Sequence, residues 1–180
     1  MSRWVVWALL VAASPAAVAT ASDTTPYVRT CETAVYGELN ADWQKNALVT
    51  GPITFIGVLG YRAARTAPLK RTVAHKVLVV VEPASTVTVA IPETARSIAS
   101  LVYDPRKFNS RRVRDGDRAV TFGACEQPNG EEPWQRGTQF NGAFVVFGRR
   151  CVPIDVSVAG QPSVRRLISF GAGTCRGARA

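Results

Sequence analysis

The chain has 180 residues, 47% apolar and 19% charged, with 22 Lys and Arg against 13 Asp and Glu for a net charge of +9. That length suits one domain and excludes a multi-domain machine, while the apolar content excludes an intrinsically disordered chain. A single histidine and 4 cysteines leave little material for metal or acid–base chemistry.

Residues 1–21 read as a secretory signal peptide. Arg3 supplies the positive start, residues 4–13 form the apolar stretch, and cleavage is expected after Ala19 or Ala21, where small residues alternate. Even taken on to Val18, the apolar run is shorter than the roughly 20 apolar residues that span a bilayer, and Pro15 interrupts it. The mature chain is therefore expected to be secreted or associated with the cell envelope. Cys31 lacks a lipobox and the C-terminus lacks an apolar tail, so no lipid anchor is expected.

Residues 22–50 mix Tyr36, Leu39 and Trp43 with polar side chains and read as an irregular N-terminal segment with a short strand near Val35. Residues 51–175 form the expected domain, and residues 176–180 a tail. Eight apolar, β-branched runs lie between Gly, Pro, Asp and Asn punctuation, at 53–58, 76–81, 86–91, 97–103, 119–125, 143–147, 152–158 and 164–170. In the third, Val87, Val89 and Ile91 alternate with Thr86, Thr88 and Ala90 as in a half-buried strand. Val120, Phe122 and Ala124 repeat the alternation. The runs at 77–81 and 144–147 are apolar throughout, as central strands covered on both faces would be. The short connection Glu82-Pro83-Ala84-Ser85 predicts a hairpin between neighbouring strands. With no amphipathic helix in sight, the expected fold is all-β, a two-sheet immunoglobulin-like sandwich of about seven to eight antiparallel strands.

Export places Cys31, Cys125, Cys151 and Cys175 where thiols oxidise, and an even count favours two bridges. Three connectivities are open. The expected one joins Cys125 to Cys151, between consecutive apolar runs, and Cys31 to Cys175, tying the two ends of the mature chain. No CxxC or HExxH motif exists, and neither a metal nor a cofactor is expected.

The order Gly51-Pro52-Ile53-Thr54-Phe55, Lys76-Val77-Leu78-Val79-Val80-Val81, Leu101-Val102-Tyr103-Asp104-Pro105, Val120-Thr121-Phe122-Gly123-Ala124-Cys125, Thr138-Gln139-Phe140-Asn141-Gly142 and Arg150-Cys151-Val152-Pro153 resembles an uncharacterised family of secreted actinobacterial proteins. The likeness covers residues 31–175. It implies export, a sandwich and paired cysteines, and it implies no catalytic residue.

Any Ser-His-Asp or Cys-His mechanism would have to use His75, which is expected at a strand end or the surface, and no G-x-S-x-G elbow presents a serine. Asp115 and Asp117 flank Gly116 as in a tight turn, and Asp155 alternates with Ile154 and Val156 and so should face water or an arginine. Glu131 and Glu132 beside Trp134 are the carboxylates for the alternative reading of a hydrolase acting on an envelope polysaccharide. A protein-interaction or adhesion module using sheet edges is the second alternative. Basic connections carry the leading reading. Arg111, Arg112 and Arg114, with Arg149 and Arg150, are candidate anion-binding residues, because guanidinium forks match phosphate and carboxylate. The expected partners are anionic envelope polymers or a membrane surface; nucleic acid is not expected, since export removes it and no aromatic-interleaved motif is present. The protein is read as non-enzymatic.

Overall fold

The computed structural model describes residues 25–39, 42–63, 70–126 and 137–176. The signal peptide reading and the Glu131, Glu132 and Trp134 loop lie outside the described residues. The fold is all-β. Among the described residues twelve strands are formed: β1 (Tyr27–Arg29), β2 (Leu48–Thr50), β3 (Ile53–Ile56), β4 (Thr72–Lys76), β5 (Leu78–Val81), β6 (Thr86–Ala90), β7 (Ala99–Val102), β8 (Ala119–Gly123), β9 (Thr138–Phe140), β10 (Ala143–Phe147), β11 (Arg150–Val158) and β12 (Val164–Phe170). Among the described residues the only helices are short 3₁₀ turns.

All eight predicted runs form strands. The four others, β1, β2, β4 and β9, come from short or polar segments, and Val35 makes only an isolated bridge to Gln139. The strands hydrogen-bond into three sheets, ordered β1-β8-β6-β11-β12, β4-β10-β7 and β2-β3-β5-β9. Every pair is antiparallel except β1 with β8. The buried faces of all three sheets meet in one core that includes Phe55, Val79, Val89, Phe122, Phe144 and Ile154.

Two of these sheets share a register. Ala143 pairs with Lys76 in β10–β4, and Phe140 pairs with Val79 in β9–β5, so the same alignment runs through both ladders. At the break between them the Val77 amide donates to the Gly142 carbonyl at 3.0 Å. The space beside Gly142 is taken by Tyr103, whose ring lies 2.2 Å from where a Cβ would sit. The Tyr103 hydroxyl donates to the Val77 carbonyl at 3.0 Å, in a wholly buried position.

Arg29 fastens the same break. Its side chain is buried, and its Nη1 donates to the carbonyls of Tyr103 at 2.6 Å and Asn141 at 3.3 Å. Its Nε donates to Thr33 Oγ1 at 2.9 Å, Nη2 donates to the Thr33 carbonyl, and the guanidinium lies over the Phe140 ring. Burial pulls this guanidinium below its ordinary pKa, against the opposing pull of Tyr27, Tyr103 and Asp104. It remains charged and is solvated by carbonyl dipoles in place of water.

Three sequence expectations are corrected. The run at 144–147 does form a central strand with Phe144, Val145 and Val146 buried and only its last residue, Phe147, exposed, but the run at 77–81 is covered fully on one face alone: Val77, Val79 and Val81 are buried while Leu78 and Val80 are half-buried. Glu82-Pro83-Ala84-Ser85 is not a hairpin. β5 already has β3 and β9 on its two edges, so the chain must leave for another sheet, where β6 lies between β8 and β11. Ala84 turns it at φ 58°, and its amide donates to the Cys125 carbonyl at 2.9 Å.

The bridges are Cys31–Cys125 and Cys151–Cys175, with Cα separations of 4.9 and 5.7 Å, not the expected pairs. β8 and β11 run in the same direction on either side of β6. Cys125 follows the end of β8 and Cys151 stands at the start of β11, so they sit at opposite ends of the sheet, about 30 Å apart at the strand rise. No disulfide reaches that far. The parallel β1–β8 register, Arg29 opposite Phe122, instead brings Cys31 beside Cys125. Cys151 opposes Ser169 in the β11–β12 hairpin, and the chain then turns back at Gly171 and Gly173, both with positive φ, to carry Cys175 to it.

Non-reducing peptide mapping should recover the Cys31–Cys125 and Cys151–Cys175 peptides, and Cys31→Ser should lower unfolding free energy by about 2 to 5 kcal/mol. Arg29→Met should cost about 3 kcal/mol or more, because it strips donors from three buried or half-buried carbonyls. Denaturant titration reads both, and a loss below about 1 kcal/mol for Arg29→Met would show that packing alone holds the break.

Candidate anion-binding face

The sheet β4-β10-β7 has one face in the core and one turned outward. Alternation along β4 sends His75 inward and leaves Thr72, Ala74 and Lys76 on the outer face. Their cross-strand partners are Phe147, Val145 and Ala143, with Ser100 and Val102 beyond on β7.

Residues 104–118 lie across this face. Asp104 starts the segment as a cap: its carboxylate accepts from the Arg106 amide at 3.0 Å and from Arg106 Nη2 at 2.8 Å. Hydrogen bonding to Arg106 holds the buried Asp104 carboxyl below the ordinary carboxylate range, against the opposing effect of burial. The far end is fixed to β7, where Leu101 and Asp117 exchange backbone hydrogen bonds at 2.9 and 2.7 Å and Lys107 pairs with the Asp117 carboxylate. Gly116 allows this approach, since a Cβ there would lie 2.3 Å from Ser100 Oγ. Between the two anchors, Val113 packs on a second small cluster of Ala74, Val102, Ala143 and Val145. Asp115 and Asp117 thus end a 3₁₀ turn and begin a bridge, rather than closing a turn between two strands.

The candidate arginines fall on this segment and around it. Arg111 is exposed and lines a groove of about 960 Å³ whose wall and floor include Lys76, Ala74, Leu78, Phe108 and Asn141. Arg112 and Arg114, also exposed, line a second groove of about 330 Å³ with Thr72, Ser97, Val113 and Phe147. Thr72 lines both, so the two grooves adjoin along β4. Arg149 is half-buried and follows Phe147 by two residues, at the end where the Gly148 amide donates to the Arg71 carbonyl at 2.9 Å. Arg150 is exposed but opens β11 in the other sheet, opposite Phe170, and does not line either groove.

Sequence reasoning passed over Lys76, Thr72, Ser97, Asn109 and Asn141 as site residues. They carry no motif: Thr72 and Lys76 reach this surface by alternation on β4, a strand not foreseen, and Ser97, Asn109 and Asn141 by connections whose course the tertiary fold sets. Asp155 does face an arginine: its carboxylate accepts from Arg165 Nε at 2.6 Å and Nη2 at 2.8 Å.

His75 is a core residue rather than a surface or strand-end group. It is 5% exposed, its ring centroid lies 4.7 Å from those of Tyr61 and Phe170, and Nε2 has no hydrogen-bond partner. Burial lowers its pKa and raises that of Tyr61, whose hydroxyl donates to the Lys76 carbonyl at 2.7 Å. Among the described residues no group of three or more His, Cys, Asp or Glu side chains clusters to hold a metal. Compared with protein-family models, curated proteins and solved structures, the chain matches none.

The His75 environment predicts a pH dependence. The unfolded chain takes up the imidazole proton near pH 6.5, whereas the folded chain does so only at lower pH. Stability is therefore full above about pH 6.5 and falls as pH drops through the interval below it, by up to about 1.4 kcal/mol per unit. His75→Phe should flatten unfolding free energy between about pH 7 and 5; an unchanged slope would assign the dependence to other groups.

Proposed function

We propose that this chain is an exported, non-enzymatic binding protein that holds phosphate-bearing anionic polymers of the cell envelope on the outer face of β4-β10-β7. The carrying observation is the junction at Thr72 of two grooves lined by exposed cations, one by Arg111 and Lys76 and the other by Arg112 and Arg114. A polymer with repeated charges engages both at once, which multiplies weak individual contacts. Two disulfides are consistent with an oxidising compartment, which together with the apolar start at residues 4–13 supports export.

The architecture behind this reading is a two-sheet, immunoglobulin-like sandwich. The register shared by β4–β10 and β5–β9 supports treating the two smaller sheets as one bent layer, which covers the five-stranded sheet through a single core. Membership of the secreted actinobacterial family that the sequence resembles fits the same picture.

De-acylated poly(glycerol phosphate) coupled to a matrix tests the proposal. The mature protein should be retained at about 0.05 M salt and released by about 0.5 M, since exposed charge pairs are screened over that range. Arg112→Glu combined with Arg114→Glu should weaken retention about tenfold or more with no change in melting temperature, both side chains being exposed. Retention that ignores salt, or that survives the double reversal, would overturn it.

A further inference from the structure

The two grooves differ in chemistry. The small one is lined by hydroxyls from Thr72 and Ser97 along with its arginines, as a site for a charged headgroup or polymer unit would be. The large one is floored with carbon: half-buried Ala74 and Leu78, with Ile56 paired to Leu78 and exposed Phe108, over the buried Val102 and Ala143. A hydrated polyanion makes no use of such a floor, and an apolar floor left in water favours whatever covers it. Among the described residues that line the large groove are Lys76 and Arg111 and no acidic side chain. Its volume of about 960 Å³ lies at the upper end of the range for small-molecule sites. Along the strand direction, the outer face from Thr72 to Leu78 extends about 20 Å. One leaflet's acyl chain, half of a bilayer's hydrocarbon core, spans about 15 Å.

We propose that the large groove binds a single anionic amphiphile, a phosphate-headed alkyl chain, with the chain on the Ala74, Leu78, Val102 and Ala143 floor and the phosphate held by Lys76 and Arg111. The inference rests on the anion-binding reading and deepens it: the polymer is recognised together with an alkyl anchor. Charge complementarity selects a phosphate-headed ligand over a neutral or cationic one. Asn109 and Asn141, both exposed at the groove, supply amide groups for the ester and hydroxyl oxygens next to the phosphate.

Calorimetric titration of the full mature chain with hexyl, octyl, decyl and dodecyl phosphate, each below its micelle concentration, tests this. Affinity should rise about two- to fourfold per added methylene, the lower figure for a chain with one side left in water. Dodecyl trimethylammonium should not bind. Lys76→Glu with Arg111→Glu should weaken dodecyl phosphate at least about tenfold, and Leu78→Asp should flatten the chain-length series. Arg112→Glu with Arg114→Glu should leave the series intact while losing the de-acylated polymer. A flat series beside undiminished polymer retention overturns the amphiphile and leaves the polymer reading standing. A climbing series without polymer retention does the reverse. Sedimentation showing a dimer that dodecyl phosphate does not dissociate would assign the floor to a second copy and overturn the proposal.

Discussion

The guanidinium of Arg29 is the constraint on which most of this molecule turns. It is an ion in the core whose hydrogen bonds among the described residues go to neutral oxygens, those of Tyr103, Asn141 and Thr33. A buried cation without such acceptors costs many kilocalories, so the three segments cannot separate while Arg29 stays inside. Holding Thr33 sets the turn that carries Cys31 to Cys125. Holding Asn141 sets the point where β9 gives way to β10. Holding Tyr103 ends β7 and places Asp104, the cap from which the arginine-bearing segment departs. Core order and surface charge are thereby connected through a single side chain.

That connection changes what the arginines are. On a loop free at both ends, Arg111, Arg112 and Arg114 would form a diffuse cationic cloud, useful for solubility and little else. Here the segment is capped at Asp104, tied to β7 through Leu101 and Asp117, and pressed down by Val113. Its backbone is ordered before any ligand arrives, which lowers the entropy lost on binding. The anchors also take up much of the local acidity: Asp104 is bound to Arg106 and Asp117 to Lys107. Among the described residues Arg111 donates to the backbone carbonyls of Phe108 and Ser110, bonds that fix its direction without neutralising its charge.

What the sequence discloses follows from which forces are local. Alternation and β-branching are properties of a few consecutive residues, so the eight long runs can be read directly, as can the buried Val87, Val89 and Ile91 face. β1, β2 and β9 have three residues each and owe their conformation to the strands beside them, which no local pattern reports. Arg29 misleads for a related reason: arginine is ordinarily exposed, and only its remote acceptors make burial tolerable. Disulfide pairing depends on strand order, and one parallel pair at a sheet edge suffices to redirect both bridges. The candidate arginines were legible as a cluster of charge, but their division between two grooves depends on Val113 packing on the Val102, Ala143 and Val145 cluster, most of it remote in sequence.

The break at Val77 and Gly142 illustrates how a defect in a sheet serves the surface. An unbroken ladder from 72 to 81 would carry its outer face straight past the arginine segment. At the break, Gly142 gives up its side-chain volume to Tyr103, and Tyr103 in turn takes the Val77 carbonyl. Val77, Asn141 and Gly142 all border the large groove, so the concavity forms where the pairing changes. A side chain at position 142 would meet the Tyr103 ring and push its hydroxyl from the Val77 carbonyl. The groove and the core lock therefore share the same few atoms, and neither can be altered without the other.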